Sequence, residues 1–395
     1  MKLVERLRGL LGLRDNLPAM ALSELISNTG WNMFEVIWQP YVLSLGATIP
    51  ILGSLTGMET ALRSGLQLVT GRISDRVGRK NPLVVSYALT LVGVFLSLLA
   101  RSWIFLIPAI FLFSVSGALW EPIFPTMISE SSERDERGTA FSLISLSWFL
   151  PGFYAPALAG YIAERYGARH VLGILLLTEL SASIIFMMYI KETMKRRETL
   201  GLHRLFSSLR EVLTPKFGLS RFYAVVIIDR FAWAIGEGIF IGMLLKTFHF
   251  TLIQIGILAN AVSISAACSQ MTMGKLVDRY GRRPLLIASG LIWSCVLGGY
   301  LISSDFPGFL ICQVFLGLAI STWDPAMNSY LSNAVPEEER GRFFGDLNGL
   351  KGLVSFPAPI LGAFLYEAYG FRAPVLASLI LSLLISSISV TLKER

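Results

Sequence analysis

Charge is scarce in this chain: 15% of its 395 residues are Asp, Glu, Lys or Arg against 53% hydrophobic, and the mean hydropathy is +0.61. Soluble domains carry about 25% charged residues, so the composition excludes a water-soluble globular fold and indicates a membrane protein. Cysteine and histidine are nearly missing, at three each. Cys268, Cys295 and Cys312 fall in apolar stretches without CxxC spacing, which leaves no disulfide framework and no metal pattern. His170 and His249 fall at the ends of apolar stretches and His203 in a polar one, so histidine is no candidate for carrying protons through the membrane interior. Nucleophile motifs and phosphate loops are absent, which argues against an enzyme. The net charge of +7 comes without a nucleic-acid motif, so no nucleic-acid partner is expected.

What the chain does have is a message written twice. Gly71-Arg-Ile-Ser-Asp75-Arg76-Val-Gly78-Arg79-Lys80 returns as Gly274-Lys-Leu-Val-Asp278-Arg279-Tyr-Gly281-Arg282-Arg283, and 274 minus 71 is 203. The same offset takes Trp120-Glu121-Pro122 to Trp323-Asp324-Pro325, Arg137-Gly138 to Arg340-Gly341, Pro156 to Pro359 and Tyr166-Gly167 to Tyr369-Gly370. Register held over this length marks a tandem duplication.

A hydrocarbon core of about 30 Å takes about 20 helical residues to cross, and twelve such stretches can be drawn, six in each copy. Lys and Arg divide sharply between the two sides: 26 fall at the N-terminal arm, the doubled loops, the central loop and the C-terminus, five on the other side and three within spans. Cytoplasmic loops retain positive charge, so both termini are expected in the cytoplasm and the chain in the cytoplasmic membrane as a multi-pass protein. The expected organisation is a cytoplasmic amphipathic arm over 1–17 without a signal-peptide cleavage site, a six-helix bundle over 18–190, a cytoplasmic linker over 191–220 and a second bundle over 221–395. An even number of spans per copy makes the repeats parallel, related by an axis along the membrane normal.

The doubled G-x-x-x-D-R-x-G-R-[KR] loop, between spans two and three and again between spans eight and nine, resembles that of the major facilitator superfamily, and Lys191-Glu192-Thr193 after span six is similar to another family tag. The resemblance implies an all-α membrane protein with twelve transmembrane helices in two pseudo-symmetric six-helix bundles, a transporter working by alternating access. It also implies that Asp75 faces the start of span eleven at Arg340 and Arg342, and Asp278 the start of span five at Arg137, as a cytoplasmic latch. In the loop itself, Gly71 and Gly274 read as helix ends and Gly78 and Gly281 as turns that need φ > 0. The expected gating set is therefore Gly71, Asp75, Arg76, Gly78, Arg79, Arg137, Gly274, Asp278, Arg279, Gly281, Arg282, Arg340 and Arg342.

Charges inside spans are the next signal, because one left in hydrocarbon costs about 2.5 kcal/mol or more unless it meets a cavity or partner. Glu24, Asn28, Asn32, Glu35 and Gln39 share one face of span one by their spacing of three and four. Trp31-x-x-x-Glu35 returns in span seven as Trp233-x-x-x-Glu237, with Asp229 on the same face, and Asn328 follows Asp324 by one turn in span ten. By the resemblance, spans one, four, seven and ten line a central cavity. The expected substrate and ion residues are Asn28, Trp31, Asn32, Glu35, Trp120, Glu121, Asp229, Trp233, Glu237, Trp323, Asp324 and Asn328. Glu59 and Arg63, four apart, read as a self-contained pair, whereas Glu35, Glu121, Glu237 and Asp324 have no base within a turn of their own helix. Glu179, Asp346 and Lys351 admit either reading.

Acidic groups among aromatic rings suit cationic or amphiphilic solutes, and buried carboxyls suit proton carriage. The chain is closest in character to the drug/proton antiporters of the superfamily, although it lacks an arginine in span four. Their span-five G-P-x-L-G-G appears as Ala155-Pro156-Ala157-Leu158-Ala159-Gly160, with a similar Ala358-Pro359-Ile360-Leu361-Gly362 in span eleven. The expected function is proton-coupled efflux of amphiphilic or cationic compounds by a monomer with no cofactor, the coupling ion being H+ with Na+ the alternative. Import of a sugar or organic acid is the second reading, and a non-transporting receptor the third.

Overall fold

Proline and glycine set the joints of the structure. The computed structural model describes residues 16–132, 137–194, 219–335 and 340–392, apart from the side chains of 68, 71, 72, 138, 139, 332 and 340–346. The expected arm (1–17) and linker (191–220) therefore fall almost wholly outside the described residues. The first half comprises α1 (Leu17–Ser44), α2 (Ile49–Val77), α3 (Lys80–Leu99), a short 3-10 turn (Trp103–Leu106) leading into α4 (Ile107–Glu130), α5 (Arg137–Gly152), α6 (Ala155–Tyr166) and α7 (Ala168–Tyr189). The second comprises α8 (Ser220–Glu237), α9 (Phe240–Phe248), α10 (Leu252–Tyr280), α11 (Arg282–Ile302), α12 (Phe306–Ala334), α13 (Arg340–Ser355), α14 (Pro357–Tyr369) and α15 (Arg372–Ser389). No strand occurs among the described residues.

Three pairs, α5/α6, α8/α9 and α13/α14, are single rods broken near the middle. Pro151 and Pro156 flank the first break and Pro357 and Pro359 follow the third, at positions where a missing N–H or a fixed φ ends helical hydrogen bonding. Joining them gives twelve rods among the described residues. Nine of these are long and apolar enough to cross a membrane by length and composition alone. The three that fall short are α1, α2 and α8/α9, which carry Glu24 and Glu35, Glu59 and Arg63, and Asp229, Arg230 and Glu237.

The 203-residue offset recurs in the backbone. Gly46 and His249 both take positive φ (89° and 53°), as do Gly78 and Gly281 (104° and 92°) and Gly167 and Gly370 (95° and 77°). Thr48 and Thr251 each cap the next helix through the side-chain oxygen. Ser86 donates to the Ser116 carbonyl and Ser289 to the Ala319 carbonyl, each at 3.0 Å. Gly71 and Gly274 depart from expectation: both lie inside helices that continue to Val77 and Tyr280, and it is Gly78 and Gly281, with positive φ, that terminate them.

Where the halves meet is decided by the apolar residues. One buried cluster draws on both halves, from Met33, Phe34 and Leu52 to Phe240, Met243 and Phe309, toward the face opposite the doubled loops. Toward the loop face each half has a separate core, around Phe124, Met127 and Phe186 in the first and Phe222, Tyr330 and Leu350 in the second. Hydrogen bonds between the halves follow the shared core: Gln39 accepts from Gly242 N at 2.8 Å, Asn260 accepts from Ala157 N at 3.2 Å and donates to Phe153 O at 3.0 Å, and Glu164 accepts from Ile253 N at 3.0 Å. Gly256 lies directly against the backbone of Pro156 and Ala157, so the small residues of the span-five motif serve this approach. The face opposite the loops is sealed.

Candidate functional site

A proline shapes the wall of the main cavity. Pro122 has no N–H for the Ala118 carbonyl, and the Thr70 hydroxyl of α2 donates to that carbonyl instead, at 2.5 Å. This fixes α2 against α4 and places Glu59, Arg63, Gln67 and Glu121 along one side of a cavity of about 670 Å³. The second half supplies Asp229, Arg230, Trp233, Trp293, Trp323, Asp324 and Lys351.

Arg63 is the hub of the first wall. It pairs with Glu59 one turn away on its own helix and, at 3.4 Å, with Glu121 across on α4, whose other oxygen accepts from the Gln67 amide. Glu121 has no base within a turn of its own helix, and its basic partner Arg63 arrives from another, which helical spacing cannot reveal. Glu59 and Arg63 are likewise no closed pair. In the second wall Arg230 and Lys351 stand close enough to Asp229 and Asp324 for charge interaction, and the Lys351 ammonium also donates to Asn348 Oδ1 at 3.4 Å. Among the described residues, four carboxylates and three cations therefore face one space. Trp233 and Trp293 lie 5.0 Å apart at its end.

Glu35 and Glu237 do not reach this cavity. Together with Asn32 they line a smaller one of about 240 Å³, which shares Trp233 and Ile320 with the first. Carboxylates from α1, α4, α8 and α12 do converge between the halves, but in two compartments.

A search against family models matches residues 20–235 and 222–394, once per half, to the Major Facilitator Superfamily. The chain belongs to the major facilitator superfamily. Among relatives, the Multidrug resistance protein MdtG of Serratia proteamaculans is 24% identical over 379 residues, covering 92% of this chain and 90% of that one, and MdtG of Escherichia fergusonii is 26% identical over 383 residues, covering 92% and 91%. Among solved structures, an inward-facing, unoccupied bacterial homologue of the human lysosomal transporter Spinster superposes with a TM-score of 0.78 at 14% identity, covering 95% of each chain. The human organic anion transporter MFSD10 superposes with a TM-score of 0.71 at 15% identity, covering 94% of this chain and 98% of that one. This superfamily member is accordingly a multi-pass membrane transporter of small molecules and not an enzyme.

Other expected site residues lie off both cavity walls. Trp120 stacks on Phe124, centroids 4.6 Å apart, and Trp31 packs edge-on against Phe34 and Phe113. Asn328 is exposed outside the cavity lining. Asn28 is buried and donates to the Glu24 carbonyl at 2.8 Å. Glu24 and Glu179, only 3% and 2% exposed, sit inside the first bundle between α1, α3 and α7. Their partners are neutral: Asn28 and Tyr87 donate to Glu24 at 3.3 and 3.4 Å, and the Ser27 hydroxyl donates to Glu179. The face of α1 therefore passes through a bundle interior at Glu24, a cavity at Glu35 and a contact between halves at Gln39.

At the loops, Asp75 pairs with Arg79 at 2.6 Å and Arg79 with Glu130 at 3.2 Å, all within the first half. The side chains of Arg340 and Arg342, the expected partners of Asp75, are outside the described residues. Arg137 and Asp278 are both exposed, and no ion pair joins them among the described residues. Arg279 lies over the ring of its neighbour Tyr280, Arg282 donates to Ser329 at 3.0 Å, and Arg76 is partly exposed. Glu192 in the Lys191-Glu192-Thr193 tag has a defined role: its carboxylate accepts from the backbone N–H groups of Arg79, Lys80, Thr193 and Met194 at 2.9–3.0 Å. Slight burial opposes its ionisation, but these four bonds outweigh it and hold the carboxyl below its ordinary range.

Glu59, Arg63, Gln67, Arg230, Trp293 and Lys351 are among the cavity residues absent from the sequence-based set. Three of them carried a signal, as the basic residues left inside spans.

Proposed function

We propose that the chain is a secondary transporter that expels amphiphilic or cationic compounds by alternating access, with protons as the coupling ion. The observation that carries this reading is the larger cavity, where four carboxylates against three cations meet a wall of Trp233, Trp293 and Trp323 between two halves joined on the far face. The one net negative charge among these described residues, beside aromatic rings, attracts an organic cation through both its charge and its apolar body. The likeness to proteins named for multidrug resistance over nine-tenths of their length supports the same direction. Carboxyls that line both cavities provide the proton-exchanging groups, since neither histidine outside the central loop lines either of these two cavities. Positive charge on the loop face supports a cytoplasmic position for that face and both termini, and the cytoplasmic membrane for the chain. In that orientation the form described is open inward. It works as a monomer, needs no cofactor and has no nucleic-acid partner.

A second reading, import of an organic acid, draws on Arg230 and Lys351 in the second wall. Reconstituted vesicles with an imposed pH gradient and a pH-sensitive dye separate the two when lipophilic cations, sugars and organic acids are added in turn. Gradient collapse with cations, lost in Glu121→Gln and Asp324→Asn, is the expected result. A response to organic acids alone would replace it with the second reading.

A further inference from the structure

Glu121 is the most accessible carboxylate on the first wall, its side chain 45% exposed to the larger cavity, yet it is not free: Arg63 lies on it. The contact is loose. At 3.4 Å it exceeds the roughly 2.7–2.9 Å of a well-made charge-assisted bond, whereas the pairing of Arg63 with Glu59 is the closer of the two. The remaining guanidinium nitrogen, Nε, is enclosed without a partner against Gly117 of α4, where an added Cβ would sit 3.2 Å from it. Among the described residues, Glu121 therefore supplies the one polar contact of the arm with α4. Gln67 meanwhile holds Glu121 in place through its second oxygen.

We propose that Arg63 is a tethered competitor for cationic cargo: in the empty cavity its guanidinium occupies the carboxylate that a cation takes, and cargo displaces it. This rests on the cargo reading above. When a cation binds Glu121, Arg63 keeps Glu59, so no charge is stranded in the protein and one ion pair is exchanged for another. Stranding a charge would be costly, and exchange avoids that. Because the exchange is nearly balanced, charge alone gives a cation little advantage over Arg63. Net binding has to come from apolar surface laid against Trp233, Trp293 and Trp323, and Arg63 thereby sets the specificity for cations with an aromatic or apolar body.

The test is equilibrium binding of tetraphenylphosphonium and of choline to the purified full chain, as wild type, Arg63→Gln and Arg63→Lys. In parallel, thermal unfolding without cargo is measured for Arg63→Gln, Glu121→Gln and the double variant. Removing the competitor should tighten tetraphenylphosphonium binding about two- to fivefold, the range for a partly exposed ion pair, and choline should gain at least as much. Arg63→Lys, which keeps a tethered cation, should stay near wild type. The two substitutions should also be non-additive in unfolding. If wild type binds tetraphenylphosphonium and Arg63→Gln binds it equally or more weakly, the competitor role is wrong while the cargo reading stands. If wild type binds neither cation, the cargo reading fails and takes this role with it, and non-additive unfolding then marks the pair as structural only.

Discussion

Gly256→Val should open the sealed face. A Cβ at this position would lie 2.7 Å from Ala157 Cα and closer still to the Pro156 carbonyl, both backbone atoms that no rotamer change can move aside. Overpacking of this kind costs about 1–3 kcal/mol, and the cost falls only on the form in which α6 and α10 touch. Where the halves part on that face, the valine meets open space. The ratio of sealed to parted forms should therefore fall by a factor of about 5 to 150, at about tenfold per 1.4 kcal/mol. Spin labels on cysteines placed at Tyr166 and Tyr369, exposed at the sealed-face ends of α6 and α14, read this as growth of a longer distance in pulsed electron resonance. Cys268, Cys295 and Cys312 are replaced beforehand. Gly256→Ala should move the distribution the same way by less. Unchanged distances in a folded Gly256→Val protein would refute the claim that this approach holds the halves together.

Glu192→Gln should weaken the clasp between the central loop and the start of α3, because an amide oxygen accepts the four N–H groups less strongly than a carboxylate. The carboxyl is held below its ordinary value of 4.5, so its contribution is present above that value and lost as pH falls through the lowered one. The difference in Tm between wild type and variant should be steady near neutral pH and shrink below about pH 4, and a difference that grows on acidification would contradict the assignment. Glu179→Gln should lie within about 1 kcal/mol of wild type in unfolding, since the amide still accepts from Ser27 and no cation is left unpaired among the described residues. Glu179→Leu should cost about 1–3 kcal/mol through the Ser27 hydroxyl it strands. Equal losses in the two variants would mean that the carboxylate charge itself matters.

The repeat makes much of the fold legible in the sequence. An offset of 203 residues predicts that Gly78 and Gly281 share a turn, and it reaches pairs whose side chains differ, such as Gly46 and His249, because the duplicated element is the backbone path. The cavity was legible in part. Glu121, Asp229, Trp233, Trp323 and Asp324 declared themselves as polar or aromatic groups inside spans, and they do line it. Contacts between helices were not legible. Spacing along α2 finds Glu59 for Arg63 but cannot find Glu121 on α4, and spacing along α1 places Glu24 and Glu35 on one face without revealing that α7 covers the first and a cavity opens at the second. Trp31 and Trp120 look like cavity aromatics in sequence but pack on Phe113 and Phe124, a choice set by helix rotation.

The central claim is that cargo crosses only when the sealed face parts. It is tested most directly by crosslinking cysteines placed at Ala157 and Asn260, which face each other across the halves, with a short bifunctional thiol reagent cleavable by reduction. Lipophilic-cation flux is then followed in reconstituted vesicles. Flux should stop on crosslinking and return on cleavage, while the crosslinked protein still binds tetraphenylphosphonium from the loop face. Undiminished flux through the crosslinked protein would contradict the account.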